Sequence, residues 1–153
     1  MHADLVLFGR IVLAAVLGYA VGWEREYRKS TAGDRTFALV AIGAAGITGI
    51  GAEFYPASAE KVIAGVVTGL GFLGAGIIFR SESGQPLGLT TAASLWATAA
   101  AGIVVGAGRY LLGILMAVLI LGLLELGHVP AVRRFDARMR MRSSDEGVPP
   151  EGP

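Results

Sequence analysis

The sequence predicts an all-α protein: a polytopic membrane helix bundle with five transmembrane helices, its N-terminus outside and its C-terminus cytoplasmic. Three observations carry this expectation. Five long stretches, 11–23, 36–52, 62–79, 83–108 and 110–124, contain no charged side chain. A hydrocarbon core about 30 Å thick is crossed by roughly 20 mostly apolar helical residues, and each run comes close to that with small extensions. Only 16% of the residues are charged, against about 25% in a soluble domain. Finally, 62–79 and 90–105 are apolar or small all round rather than striped, which suits lipid or complete burial. A chain of 153 residues has no room to bury five such helices away from water.

The predicted spans are 5–22, 37–52, 62–79, 90–105 and 110–126. Inside lipid every backbone polar group must be satisfied within its own segment, so these runs are helices. Turn chemistry divides them: Ser30 to Asp34, then Tyr55-Pro56-Ala57-Ser58, then 81–86, then Gly106-Ala107-Gly108. Met1 to Asp4 lacks the basic start of a cleaved signal, so the first helix is expected to be retained. Orientation follows from the cations. Arg25, Arg28, Lys29, Arg35, Arg80, Arg133, Arg134, Arg138, Arg140 and Arg142 fall on one side, whereas Lys61 and Arg109 fall on the other. The positive-inside rule puts the larger group in the cytoplasm.

Residues 1–128 read as one transmembrane domain. Residues 129–142 read as a basic amphipathic cytoplasmic segment, with Val132, Phe135 and Met139 at helical spacing. Residues 143–153, rich in Pro, Gly and acid, read as a disordered tail. The chain has no cysteine, which excludes disulfides, thiolate metal sites and a cysteine nucleophile. A net charge of +1 gives no reason to expect nucleic acid.

Glycines recur inside the spans: Gly18 and Gly22, Gly65 and Gly69, Gly71, Gly74 and Gly76, and Gly102. Lipid supplies no hydrophobic drive between helices, so small residues that let backbones approach are packing surfaces. More than one such seam per helix points to a homo-oligomer, a dimer being favoured.

Few residues suggest chemistry. Arg10 lies within the first span, where a charge marks function or a buried pair. It either snorkels to headgroups or pairs with Asp4, or it faces the bundle. Glu24, Arg25, Asp34, Arg35 and Thr36 gather between the first two spans. Glu24, Glu26 and Asp34 could offer oxygen ligands to Mg²⁺, Glu24 and Asp34 being the candidates kept, and ion pairs of Glu24 with Arg35 or of Asp34 with Arg25 are the alternative that the surrounding cations favour. Thr90 or Thr91 reads as the N-cap of the fourth helix, with Ser94 and Trp96 following. No nucleophile, base and orienting group come together, so the chain is not read as an enzyme.

Three stretches carry a family resemblance. Arg10 with Gly18-Tyr19-Ala20-Val21-Gly22-Trp23-Glu24-Arg25-Glu26 and Ala32-Gly33-Asp34-Arg35-Thr36 is the first. Val67-Thr68-Gly69-Leu70-Gly71-Phe72-Leu73-Gly74-Ala75-Gly76 and the run from Gly88 to Trp96 are the others. In order, over about 5–126, they resemble the MgtC/SapB family of bacterial membrane proteins. The resemblance implies a multi-pass inner-membrane protein linked to magnesium limitation, acid or other stress tolerance and, in some pathogens, survival inside macrophages. It carries over Arg10, Glu24, Arg25, Asp34, Arg35, Thr36, Thr68, Thr90, Thr91 and Trp96 as positions to watch. Many relatives continue into a cytoplasmic domain after the fifth helix, and this chain is similar to the shorter SapB-type branch. The leading expectation is a non-enzymatic protein of magnesium homeostasis, without a required cofactor, whose Arg10, Thr68 and Thr90/Thr91 join in a polar interior. The alternatives are a Mg²⁺ or proton transporter formed at a protomer interface, and a regulatory module docking on another membrane complex such as the F-type ATP synthase.

Overall fold

The computed structural model describes residues 1–80 and 86–126. The turn at 81–85 and the two predicted segments 129–142 and 143–153 lie outside the described residues. Among the described residues five α-helices form: α1 (His2–Tyr27), α2 (Asp34–Phe54), α3 (Ala59–Ile77), α4 (Leu89–Gly106) and α5 (Tyr110–Leu126). A single 3₁₀ turn, Pro56–Ser58, starts α3, and a two-residue antiparallel pairing of Phe79–Arg80 with Pro86–Leu87 links α3 to α4. Four helices, α1 to α4, are long and apolar enough to cross a membrane, and α5 is apolar but 17 residues long. Residues Met1–Ile120 form one compact unit. The described part of the second unit, from Leu121, is the end of α5.

The helices exceed the uncharged runs because backbone hydrogen bonding continues into charged residues wherever those residues find partners. Thus α1 carries Glu24, Arg25 and Glu26 on its last turn, not in a loop as the sequence suggests, and α2 opens at Asp34, three residues before its predicted start. Helix α3 runs from Ala59 to Ile77 and gives way to extended Ile78. For α4 the predicted caps Thr90 and Thr91 are corrected. The N-cap is Gly88 at φ +81°, and both threonines lie within the first turn. Only glycine adopts that conformation cheaply, and the turn seats Gly88 so tightly that an added Cβ would strike the Ile77 carbonyl.

Helix α4 lies at the centre. It buries Ala92, Leu95, Ala99, Ala101 and Val105 among its neighbours, and α1 and α2 supply most of the remaining core. The α1 stripe Ala14, Gly18, Val21 and Gly22 follows the 3.6-residue period. It meets α2 at backbone distance. A Cβ at Gly18 would lie 2.7 Å from the Phe37 carbonyl oxygen, and one at Gly22 would lie 2.5 Å from Asp34 Cα. The α2–α4 seam is equally close: a Cβ at Gly102 would lie 2.8 Å from the Ala41 carbonyl oxygen, and one at Gly106 would lie 2.8 Å from Ala45 Cα. These are the close approaches that small residues permit in lipid. Helix α3 differs. Leu70 is its one buried residue, and a Cβ at Gly65, Gly69, Gly71, Gly74 or Gly76 would meet nothing within 4 Å. Its glycines therefore do not serve packing within the described chain.

Candidate functional site

Polar side chains collect at the two ends of the α1–α2–α4 core. At the first end α1 closes in a Schellman motif: the Ser30 N–H donates to the Arg25 carbonyl and the Lys29 N–H to the Glu26 carbonyl, each at 2.9 Å. Lys29 takes the left-handed conformation, φ 54°, that this motif requires. The turn delivers Ser30 to α4, where its hydroxyl meets that of Thr91 at 2.6 Å. Below it Ser94 Oγ donates to the Thr91 carbonyl at 3.0 Å, and Thr98 Oγ1 donates to the Ser94 carbonyl at 2.8 Å. All three α4 hydroxyls are buried, and bonding back to the preceding turn satisfies Ser94 and Thr98 where water is absent.

Beside this column the Arg25 guanidinium grips Glu24 with two bonds, Nε to Oε2 at 2.8 Å and a terminal nitrogen to Oε1 at 3.4 Å. Both side chains are about nine-tenths buried, and Arg28 Nε stands 3.5 Å from Glu24 Oε1. A buried charge is tolerated only with such pairing. The predicted pairs, Glu24 with Arg35 and Asp34 with Arg25, are therefore replaced by Glu24 with Arg25 and Arg28.

The start of α2 carries a second acidic group. Glu26 Oε2 accepts the Asp34 N–H at 3.2 Å and lies against Gly33, where an added Cβ would push the carboxylate aside. It thus caps a helix whose own N-cap has no side-chain acceptor. Asp34 Oδ1 accepts the Arg35 N–H at 2.6 Å. Glu26, Asp34, Arg35 and Thr36 border an open cleft of about 390 Å³. Two carboxylates at a helix N-terminus complement its dipole, which accounts for them without a metal. Among the described residues no three His, Cys, Asp or Glu side chains could hold a metal ion.

At the opposite end α4 closes in a second Schellman motif, with Gly108 at φ +82° and its N–H on the Val105 carbonyl. That leaves the Gly106 carbonyl without a helical partner. Arg10 supplies one, donating to the Gly106 oxygen at 3.1 Å and to the Tyr110 hydroxyl at 3.2 Å. The cation sits where the α4 dipole is negative. Of the two readings of Arg10, the structure realises the bundle-facing one; Asp4 pairs instead with the N-terminal amine at 2.7 Å.

The expected common polar interior does not form. Thr91 and Gly106 stand fifteen residues apart on α4, about 22 Å at 1.5 Å per residue. Thr68 is exposed and bonds its own helix at Ala64. Thr36, Arg35 and Thr90 are exposed, and Trp96 is half-exposed. Sequence reasoning missed Ser30 and Tyr110, and it gave Glu26 no capping role and Arg28 no partner. A serine three residues past a helix end and a tyrosine opening the last span were the available signals.

A helical membrane protein with a close-packed core and polar groups fastened at both ends is the class this architecture defines. The sequence model of the MgtC family matches residues 11–131. The chain belongs to the MgtC family. It is 36% identical over 148 residues to an uncharacterized protein of Haemophilus influenzae, covering 90% of this chain and 61% of that one. It is 39% identical over 138 residues to YhiD of Escherichia coli K12, named as a candidate magnesium transporter, covering 84% of this chain and 62% of YhiD. It is 43% identical over 100 residues to MgtC of Salmonella typhimurium LT2, covering 65% of this chain and 43% of that one. The chain thus spans about three fifths of the length of the first two relatives. No solved structure matches it significantly.

Proposed function

We propose that this chain is a five-span protein of the bacterial inner membrane, N-terminus outside and C-terminus cytoplasmic, that supports magnesium homeostasis and stress tolerance without catalysing a reaction. The name of the YhiD relative supports the link to magnesium, and the family match supports the same class. The observation that carries the non-conducting part is the sealed core. Gly18, Gly22, Gly102 and Gly106 bring α1, α2 and α4 to backbone contact, and Phe37, Val21, Val105 and Thr48 are fully buried between them. A conducting path needs hydrated polar groups along its length. Here the charged groups sit at the ends and are held there, Arg10 on the Gly106 carbonyl and Glu24 on Arg25, while Thr48 and Thr98 add single buried hydroxyls rather than a continuous polar lining. The protein acts as a closed scaffold whose end clusters hold the helices in one arrangement.

The test pairs two measurements. In a bacterium deleted for its own family member, this chain is expected to restore growth in low magnesium, and Arg10→Ala is expected to weaken that rescue. In proteoliposomes the purified chain is expected to carry no Mg²⁺ or proton flux. Flux in the wild type that falls in Arg10→Ala would replace this reading with a transporter.

A further inference from the structure

Helices α2 and α3 diverge to leave an apolar trough of about 630 Å³. Gly43, Gly65 and Gly69 line it without side chains, and none has a neighbour within 4 Å of an added Cβ. Leu39 and Ile47 on one bank and Leu73 on the other are 66%, 53% and 46% exposed. One charged residue lines the trough: Lys61, on the first turn of α3. Lys61 forms no ion pair with any described residue. Phe54 and Tyr55, 54% and 62% exposed, close α2 just before the turn into α3, and aromatic residues favour the headgroup level. From Lys61 to Leu73 the trough spans twelve helical steps, about 18 Å. That is little more than half of a hydrocarbon core about 30 Å thick, or one leaflet.

We propose that this trough is a binding site for one anionic phospholipid, with an acyl chain along the glycine floor and the headgroup phosphate on the Lys61 ammonium. The charge, the apolar length and the depth all match one lipid of one leaflet. A second copy of the chain matches less well. In a two-fold dimer about an axis along the membrane normal, equivalent residues lie at equal depth. Two α3 troughs face to face would oppose two Lys61 cations with no acidic residue in either lining. The proposal stands apart from the function proposed above, since it concerns what completes the α2–α3 packing and holds whether or not ions cross.

The experiment uses the full chain in nanodiscs, with Trp23 and Trp96 changed to Phe and Leu39→Trp as the reporter at the trough. Brominated phosphatidylglycerol and brominated phosphatidylcholine are titrated separately as quenchers. Quenching is expected at a several-fold lower mole fraction of the glycerol lipid. Lys61→Gln is expected to abolish that preference, and Gly69→Leu to reduce quenching by both lipids, while Gly74→Leu, outside the trough lining, leaves both unchanged. Equal quenching by the two lipids, or a preference that survives Lys61→Gln, would overturn the proposal. So would oxidative dimerisation of Gly65→Cys in the same nanodiscs, which would assign the trough to a second copy. The natural chain has no cysteine to confuse that result.

Discussion

A Glu24→Ala variant is expected to lose about 3–5 kcal/mol of stability, the range found when one partner of a buried ion pair is removed and the other charge is left behind. The loss is expected to exceed that of Arg25→Ala. Removing Glu24 leaves Arg25 buried without its carboxylate, whereas removing Arg25 leaves Glu24 with Arg28 at 3.5 Å. The double variant Glu24→Ala/Arg25→Ala is expected to recover part of the loss, because no unpaired charge then remains at that spot. Thermal unfolding of the four proteins in one detergent checks the order. Equal losses for the two single variants, or strict additivity in the double, would mean that the pair is not buried as described.

The second large effect is expected at Gly106. An alanine methyl there strikes the Ala45 carbonyl oxygen and stands 2.8 Å from Ala45 Cα. Both atoms belong to backbone, which cannot step aside as a flexible side chain could. Gly106→Ala is therefore expected to cost about 1–3 kcal/mol, as overpacking does. It also shifts the carbonyl that Arg10 holds. Gly74→Ala, where the new methyl meets nothing within 4 Å, is the matched control and is expected to leave stability unchanged or raise it by up to about 1 kcal/mol, since it removes a glycine from a helix interior. Unfolding midpoints of the two variants decide the matter.

The contrast between these glycines explains how far the sequence could be read. Spacing placed Gly18, Gly65, Gly69 and Gly102 in similar small-residue seams, but only contact geometry separates the buried seam of α1, α2 and α4 from the open face of α3. Hydropathy located the five helices because lipid demands long apolar runs. It misjudged their ends because Glu24, Arg25 and Asp34 continue helices once paired or capped. The Glu24–Arg25 pair was hidden for a different reason. Adjacent helical residues do not ordinarily face each other, so their contact depends on where the long arginine side chain folds. Arg10 was legible as an intramembrane charge, but its role waits on the Schellman turn that strands the Gly106 carbonyl. Lys61, beside Glu60 at the head of a span, served only to orient the chain until the α2–α3 trough was in view.

The contact between the α1–α2 turn and α4 is the most direct test of this architecture, since it fixes the central helix against the first. The Ser30 and Thr91 hydroxyls lie 2.6 Å apart, so cysteines at these two positions fall within disulfide reach. In native membranes the Ser30→Cys/Thr91→Cys variant is expected to cross-link within one chain on mild oxidation, and Ser30→Cys/Thr90→Cys, with an exposed second site, much less. Equal cross-linking of the two variants, or none in either, would contradict the sealed α1–α2–α4 core.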